Sequence, residues 1–182
     1  MMIGYNDNEA YVFVSILREA NVIKKMFRDK SFLLPDELKF VNNRERIQAA
    51  RQIEDTYFKR NITMAAVLAY HRDAYFVSHI HRSVRYHATN APVFYYQFSY
   101  SGDVGVQSEP GVEKKGASHS DELAYLFYDG NLEGEDGVMQ QRLLKLWTNF
   151  VKHLNPSHQS EVTWELSGPG NFRLLDISSD LK

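Results

Sequence analysis

The chain has 182 residues, with 11 Tyr, 11 Phe and a formal net charge of −2. This length fits one ordinary domain, and the apolar content is enough for a sizeable core. A charge near zero gives no electrostatic basis for binding nucleic acid or an acidic membrane surface. The sequence has no long apolar run and no cysteine, so it predicts no transmembrane helix, no disulfide and no thiol catalysis.

The first predicted element is a short strand, residues 1–4, followed by a polar turn at residues 5–8. This opening has neither the charged start nor the long apolar stretch of a signal peptide. Because a domain rarely begins in the middle of a strand, we expect residues upstream of Met1 to be missing. The subcellular location is therefore left open.

A largely helical region follows the turn. Apolar residues recur there every three or four positions between charged ones, which is the helical period. The helices are predicted at residues 9–27, 43–60 and 63–87.

The period then changes at "PVFYYQFSY", residues 92–100. This stretch is apolar on both faces, so it predicts a strand in the middle of a sheet that helices cover. An irregular loop is predicted at 101–115. The remaining predictions are a helix at 121–128 capped by Ser120, a loop at 134–137, a helix at 138–154 and two short strands at 162–165 and 172–177. The order indicates an α/β fold whose functional groups follow strand ends.

Glu9 and His119 are the candidates for chemistry, since each lies in a segment that follows a predicted strand. A histidine acts as a general base when a carboxylate holds its other ring nitrogen protonated. Carboxylate first and histidine later is also the tail of the order Ser, Asp/Glu, His used by α/β-hydrolases. By pattern alone, a surface histidine beside a helix start remains the alternative.

Longer motifs add a resemblance. "IGYNDNEAYVF" resembles the segment of the type-B carboxylesterase family that carries the triad acid, and "GASHSDELAYLF" resembles its histidine segment. Between them, "YHRDAYFVSHIHRSVRYHATNAPVFYYQFSY" is similar to a family stretch with an Asp before an aromatic pair and a Pro-Val-aromatic strand. After them, "RLLKLWTNFVKHLNP" is similar to the family helix that ends at Asn-Pro. The resemblance covers nearly the whole chain and is closest to insect carboxylesterases.

The resemblance implies an α/β-hydrolase fold, with residues 1–182 as the C-terminal part of one carboxylesterase domain. It implies a few central strands, a large helical insertion and a short terminal strand pair. It makes Glu9 the triad acid and His119 the base of a Ser-Glu-His esterase acting on small carboxylic esters. Neither cofactor nor metal is required by that mechanism.

Two departures from the family pattern stand out. Ala10 occupies a position where the family usually has glycine, and the sequence has no G-x-S-x-G nucleophile elbow and no Gly-rich oxyanion loop. In the family both lie upstream, so the missing N-terminal part of the same domain is the expected partner. We therefore expect the isolated chain to be inactive, and poorly stable because the apolar central strand lacks its neighbours.

Other candidates carry less weight. Metal ligation by the histidines is disfavoured because two of them, His79 and His81, would point about 200° apart on a helix; the remaining ones considered are His71 and His87. Asp73 is expected to make a structural hydrogen bond or a cap. Ser118 and Ser120 are expected to have loop and cap roles, and neither is the nucleophile.

Two alternative interpretations remain. A non-catalytic adhesion or binding protein on the same fold would have lost triad members, and the presence of both Glu9 and His119 argues against it. A truncated gene model or a degenerate copy with no independent role is the other.

Overall fold

The computed structural model of the protein describes residues 1–59, 61–160 and 162–180. In this part of the chain the centre is a parallel sheet of three strands, in the order β1–β2–β3. The strands are β1 (Met2–Asn6), β2 (Phe94–Phe98) and β3 (Leu175–Ile177). The middle position of β2 confirms the prediction from its two apolar faces. The expectation that this strand lacks neighbours was wrong, because β1 and β3 pair with its two edges.

The segment between β1 and β2 is helical, as predicted. Its elements are the 3-10 helix Glu9–Phe13, α1 (Val14–Glu19), α2 (Val22–Arg28), the 3-10 helix Lys30–Leu33, α3 (Asn43–Ile53), the π-helical turn Glu54–Phe58, α4 (Met64–Arg72), the π-helical turn Asp73–Val77 and α5 (Ser78–His87).

These boundaries refine the three predicted helices. The predicted helix 9–27 is divided, because Asn21 between α1 and α2 adopts the left-handed conformation with φ 50°. The predicted helix 43–60 continues through Phe58, and its last residue lies outside the described residues. The predicted helix 63–87 is continuous through its π-helical turn, and Thr63 caps it by accepting a hydrogen bond from the backbone N–H of Ala66 at 3.2 Å.

Among the described residues, two helices follow β2, and two predictions made for this region were wrong. They are α6 (Asp121–Leu126) and α7 (Gly134–His153), so the predicted loop 134–137 is the first turn of α7. Ser120 precedes α6 with φ 68°, and its side chain makes no capping bond.

In the part after α7 that the structure describes, one strand is present where two were predicted. Residues 162–165 form no strand. Trp164 in this segment packs against the sheet and donates its indole N–H to the carbonyl of Tyr95 at 3.0 Å. The second predicted strand is present in shortened form as β3.

Helices cover both faces of the sheet. Phe94 and Phe98 of β2 pack in a cluster with Leu143 of α7, whereas Tyr95 packs with Val84 of α5 on the other face. A further apolar cluster joins α1, α2 and α4. No helix among the described residues is long and apolar enough to cross a bilayer.

Candidate active site

The loops that carry Glu9 and His119 are joined just beyond the carboxyl ends of the strands. Asn8 donates its backbone N–H to the carbonyl of Ala117 at 2.9 Å, which forms a parallel bridge to Ser118. Because β1 and β2 are adjacent and parallel, the segments that follow them emerge at the same edge of the sheet.

The two side chains meet. His119 Nδ1 lies 2.7 Å from Glu9 Oε2, and the side chains are 50% and 7% exposed, respectively. The other carboxylate oxygen, Glu9 Oε1, accepts the backbone N–H of Asn6 at 2.8 Å. The convergence expected from the sequence is therefore present, with Nδ1 engaged and Nε2 left to exchange a proton. The catalytic roles of the two residues remain predictions.

Asn6 and Glu122 extend this pair, and the sequence reasoning missed both. The Asn6 amide donates to Glu122 Oε2 at 2.5 Å and to the carbonyl of Ser118 at 2.6 Å. Burial raises the pKa of Glu122, the bond from Asn6 opposes this, and the nearby charge of Glu9 adds to it. The position of Glu122 in the first helical turn after His119 was the one feature of the sequence that could have indicated its place near the pair.

Asp7 ties the acid turn to the histidine loop. Its Oδ1 accepts the backbone N–H of Ala117 at 2.7 Å. Burial raises the pKa of Asp7 to about 6, although the hydrogen bond from Ala117 opposes the shift. Gly116 lies directly against this carboxyl group with φ +75°, a conformation and a closeness that require glycine.

A buried ion pair supports the same loop from the other side. Lys114 Nζ lies 2.6 Å from Asp121 Oδ2, and the two side chains are only 5% and 3% exposed. Asp121 also accepts the backbone N–H groups of Ser118 at 2.7 Å and Val106 at 2.8 Å. The sequence analysis did not find this pairing.

An aromatic pair lies against the imidazole. The ring of Phe76, in the π-helical turn Asp73–Val77, has its centroid 5.3 Å from that of His119. Phe13 stacks on Phe76 at 6.1 Å. The imidazole of His119 therefore has an apolar neighbour on one side.

The other residues singled out in the sequence lie apart from this pairing or play structural parts. Asp73 accepts the Tyr57 hydroxyl at 2.8 Å and pairs with Arg72, which confirms its structural role. Ser118 is fully buried, and its hydroxyl has no partner among the described residues. Ala10 is buried in a right-handed 3-10 helix, so glycine is not needed there. No group of three or more His, Asp or Glu in the described residues could hold a metal ion.

Comparison with known proteins decides the family. A family model described as "Carboxylesterase family" matches residues 1–182. The chain belongs to the carboxylesterase family. Among curated relatives of this carboxylesterase chain, juvenile hormone esterase of Heliothis virescens is 21% identical over 178 residues, covering 91% of the chain and 32% of the relative. Pyrethroid hydrolase Ces2e of Rattus norvegicus is 31% identical over 108 residues, covering 56% of this chain and 18% of the relative.

Solved structures show the same fold. Juvenile hormone esterase from Manduca sexta, with OTFP covalently attached, matches with a TM-score of 0.81 and 24% identity over 100% of this chain and 37% of that one. A PNB esterase matches with a TM-score of 0.63 and 20% identity over 100% and 34%. The chain therefore has the architecture of part of an α/β-hydrolase fold. It spans between 18% and 37% of the length of these relatives.

Proposed function

We propose that the chain is part of a carboxylic-ester hydrolase and supplies the acid and the base of its catalytic triad. The observation that carries this proposal is the 2.7 Å contact between Glu9 Oε2 and His119 Nδ1. A buried carboxylate held by a backbone N–H, and paired with a half-exposed imidazole, is the arrangement that orients a general base.

The chemistry of the pair follows from which nitrogen is engaged. Glu9 holds the proton on Nδ1, so Nε2 carries the lone pair that takes the proton of an attacking serine. The carboxylate also stabilises the imidazolium that forms. His119 then gives the proton to the leaving alcohol, and it activates water in the same way to release the acid.

The nucleophile must come from another segment. The sequence has no G-x-S-x-G pentapeptide. Ser118 directly precedes His119 in the sequence, and it is fully buried. We propose that a serine elbow and the oxyanion donors precede these residues in the intact enzyme. On this basis the chain by itself does not turn over esters.

The proposed substrate class is a small carboxylic ester. Two of the relatives are named for juvenile hormone and for pyrethroids, and these different names do not single out one ester. The apolar wall formed by Phe76 against His119 favours an apolar group near the reacting centre.

The test is His119→Ala in an intact enzyme that contains these residues, with p-nitrophenyl acetate as substrate. We expect kcat to fall by about 10³-fold or more, because the base is lost while the fold is kept. His79→Ala is the matched control, since His79 is an exposed histidine of α5. Near-normal turnover by His119→Ala would remove the residue from the mechanism. A wild-type protein with no turnover would favour the binding-protein alternative.

A further inference from the structure

The loop before His119 is held by a closed set of buried polar contacts. Asp121 accepts the N–H of Val106 at one end of this loop and the N–H of Ser118 at the other, at 2.8 and 2.7 Å. Lys114 donates to the carbonyl of Val106 at 2.7 Å and to Asp121 at 2.6 Å. One ion pair therefore joins both ends of the histidine loop.

We propose that Lys114 and Asp121 are positioning residues for His119. Their ion pair fixes the backbone on both sides of the histidine, so that the imidazole points at Glu9. This inference rests on the proposed function and deepens it, since neither residue touches the imidazole–carboxylate contact itself.

The local backbone shows why a fixing contact is needed. Ser120, directly after His119, has φ 68°, which is an uncommon conformation for a residue other than glycine. Such a conformation persists only when the surroundings hold it. The N–H of Asp121 donates to the carbonyl of Ser118 at 3.1 Å, and the carboxylate of Asp121 accepts the N–H of Ser118 in return. These reciprocal bonds bracket His119 and Ser120.

Burial of the pair points to positioning more than to stability. Replacing a buried ion pair by neutral groups of similar volume is often neutral for folding, because the desolvation of the two charges offsets their attraction. The specific effect of the pair is that it holds Val106 and Ser118, at the two ends of the loop, in fixed positions relative to each other. His119 is half exposed. Without the ion pair, the loop keeps the Glu9 contact, the bond from Ala117 to Asp7 and the bonds from Asn8 and Asn6 to the carbonyls of Ala117 and Ser118, but it loses the contact that joins its two ends.

The experiment compares Lys114→Met/Asp121→Asn with wild type in an intact enzyme that contains residues 1–182. The double variant leaves no isolated buried charge, so its melting temperature should exceed that of either single variant. An Asn side chain has one acceptor oxygen, so its amide faces either Val106 or Ser118 donor to donor and the loop loosens. We expect kcat about 100-fold lower with KM changed less than about twofold.

A second readout does not depend on turnover. In ¹⁵N-histidine-labelled protein, the proton on His119 Nδ1 gives a signal protected by the bond to Glu9. We expect this signal in wild type and its loss in the double variant. Lys115→Met/Glu113→Gln is the matched control, because it removes an exposed pair with a separation of 3.8 Å from the same loop. It should change neither readout.

Each outcome decides the proposal. A double variant with kcat within about threefold of wild type and an intact Nδ1 signal would overturn it, and so would losses of kcat that only follow the folded fraction. If the double variant does not fold, Lys114→Gln, which keeps a neutral donor beside Asp121, is measured instead and should lower kcat about tenfold. If wild type turns over no ester, the proposed function fails while the NMR comparison still supports or overturns the positioning role.

Discussion

Glu9→Gln is a nearly isosteric change that should reverse the tautomer of His119. Glu9 Oε1 accepts the backbone N–H of Asn6 at 2.8 Å, and Oε2 meets His119 Nδ1 at 2.7 Å. Because the N–H of Asn6 is a fixed donor, the glutamine oxygen faces Asn6 and its amide nitrogen faces the imidazole. Nδ1 then becomes an acceptor, and the proton moves to Nε2, which can no longer act as the proposed base toward a serine.

The magnitude follows from the two ways the glutamine can lie. The reversed amide would place its nitrogen against the N–H of Asn6, which leaves a buried donor unpaired at a cost of about 1–3 kcal/mol. Either orientation removes the negative charge that stabilises the imidazolium. A loss of the orienting carboxylate in a triad lowers kcat by about 10⁴-fold, equivalent to about 5.5 kcal/mol of barrier.

The assay is steady-state hydrolysis of a p-nitrophenyl ester by an intact enzyme that contains residues 1–182, with ¹⁵N shifts of His119 to identify the tautomer. Glu113→Gln serves as the control, because the Glu113 side chain is 76% exposed and pairs only with Lys115 at 3.8 Å. A Glu9→Gln enzyme with kcat within about tenfold of wild type would refute the assigned tautomer.

Three further predictions concern stability, each checked by thermal or denaturant unfolding. Burial raises the pKa of Asp7 to about 6, so its protonation stabilises the fold below about pH 4 and this contribution is lost as pH rises through 6. The free energy of unfolding of Asp7→Asn should therefore rise by about 1–2 kcal/mol relative to that of wild type between pH 4.5 and 8, after allowance for solvent screening. A difference in unfolding free energy that does not change with pH would contradict this. Gly116→Ala should destabilise by about 2 kcal/mol or more, because the positive φ is strained and the new methyl group overlaps the carboxyl of Asp7; Gly170→Ala, with open space around it, is the control. Trp164→Phe should lower the free energy of unfolding by about 1 kcal/mol, because it removes the buried hydrogen bond to the Tyr95 carbonyl. An unchanged unfolding midpoint would contradict that contact.

The spacing of apolar residues and the chemistry of the side chains were enough to predict the parts of the fold that depend on local sequence. The central position of β2 follows from "FYYQF", because a strand apolar on both faces requires cover on both sides. The meeting of Glu9 and His119 was expected from the resemblance to the carboxylesterase family, whereas the pattern alone left a surface histidine as the alternative. The parallel pairing of β1 with β2 brings the two segments to one edge of the sheet.

The start of α7 was mispredicted because tertiary contacts outweigh local composition there. "GEDG" has the glycine content of a loop, yet Asp136 accepts the hydroxyls of Tyr100 and Tyr125, each at 3.0 Å. These contacts come from a strand end and from α6, and they hold the first turn of α7 in place. Propensity is a weak guide where such contacts exist.

The polar contacts around the candidate site were out of reach for a similar reason. Asn6 bonds to Glu122 across 116 positions of the chain, and Lys114 reaches Asp121 through an irregular loop. No local pattern encodes a pairing of this kind. Ser120 shows the same limit. Serine is a favoured N-cap residue, but Ser120 has φ 68° and its side chain makes no capping hydrogen bond.

The pairing of β1 with β2 has a consequence for how the sequence of this chain can vary. The partners run from Met2 opposite Phe94 to Asn6 opposite Phe98. A slip of one position would move the acid turn by about 3.3 Å along the sheet, more than the span of a hydrogen bond, and would separate Glu9 from the imidazole. Insertions within the helical stretch that connects the two strands leave this alignment unchanged. The part of that stretch around α2 and α3 can thus change in length while Glu9 keeps its place opposite His119.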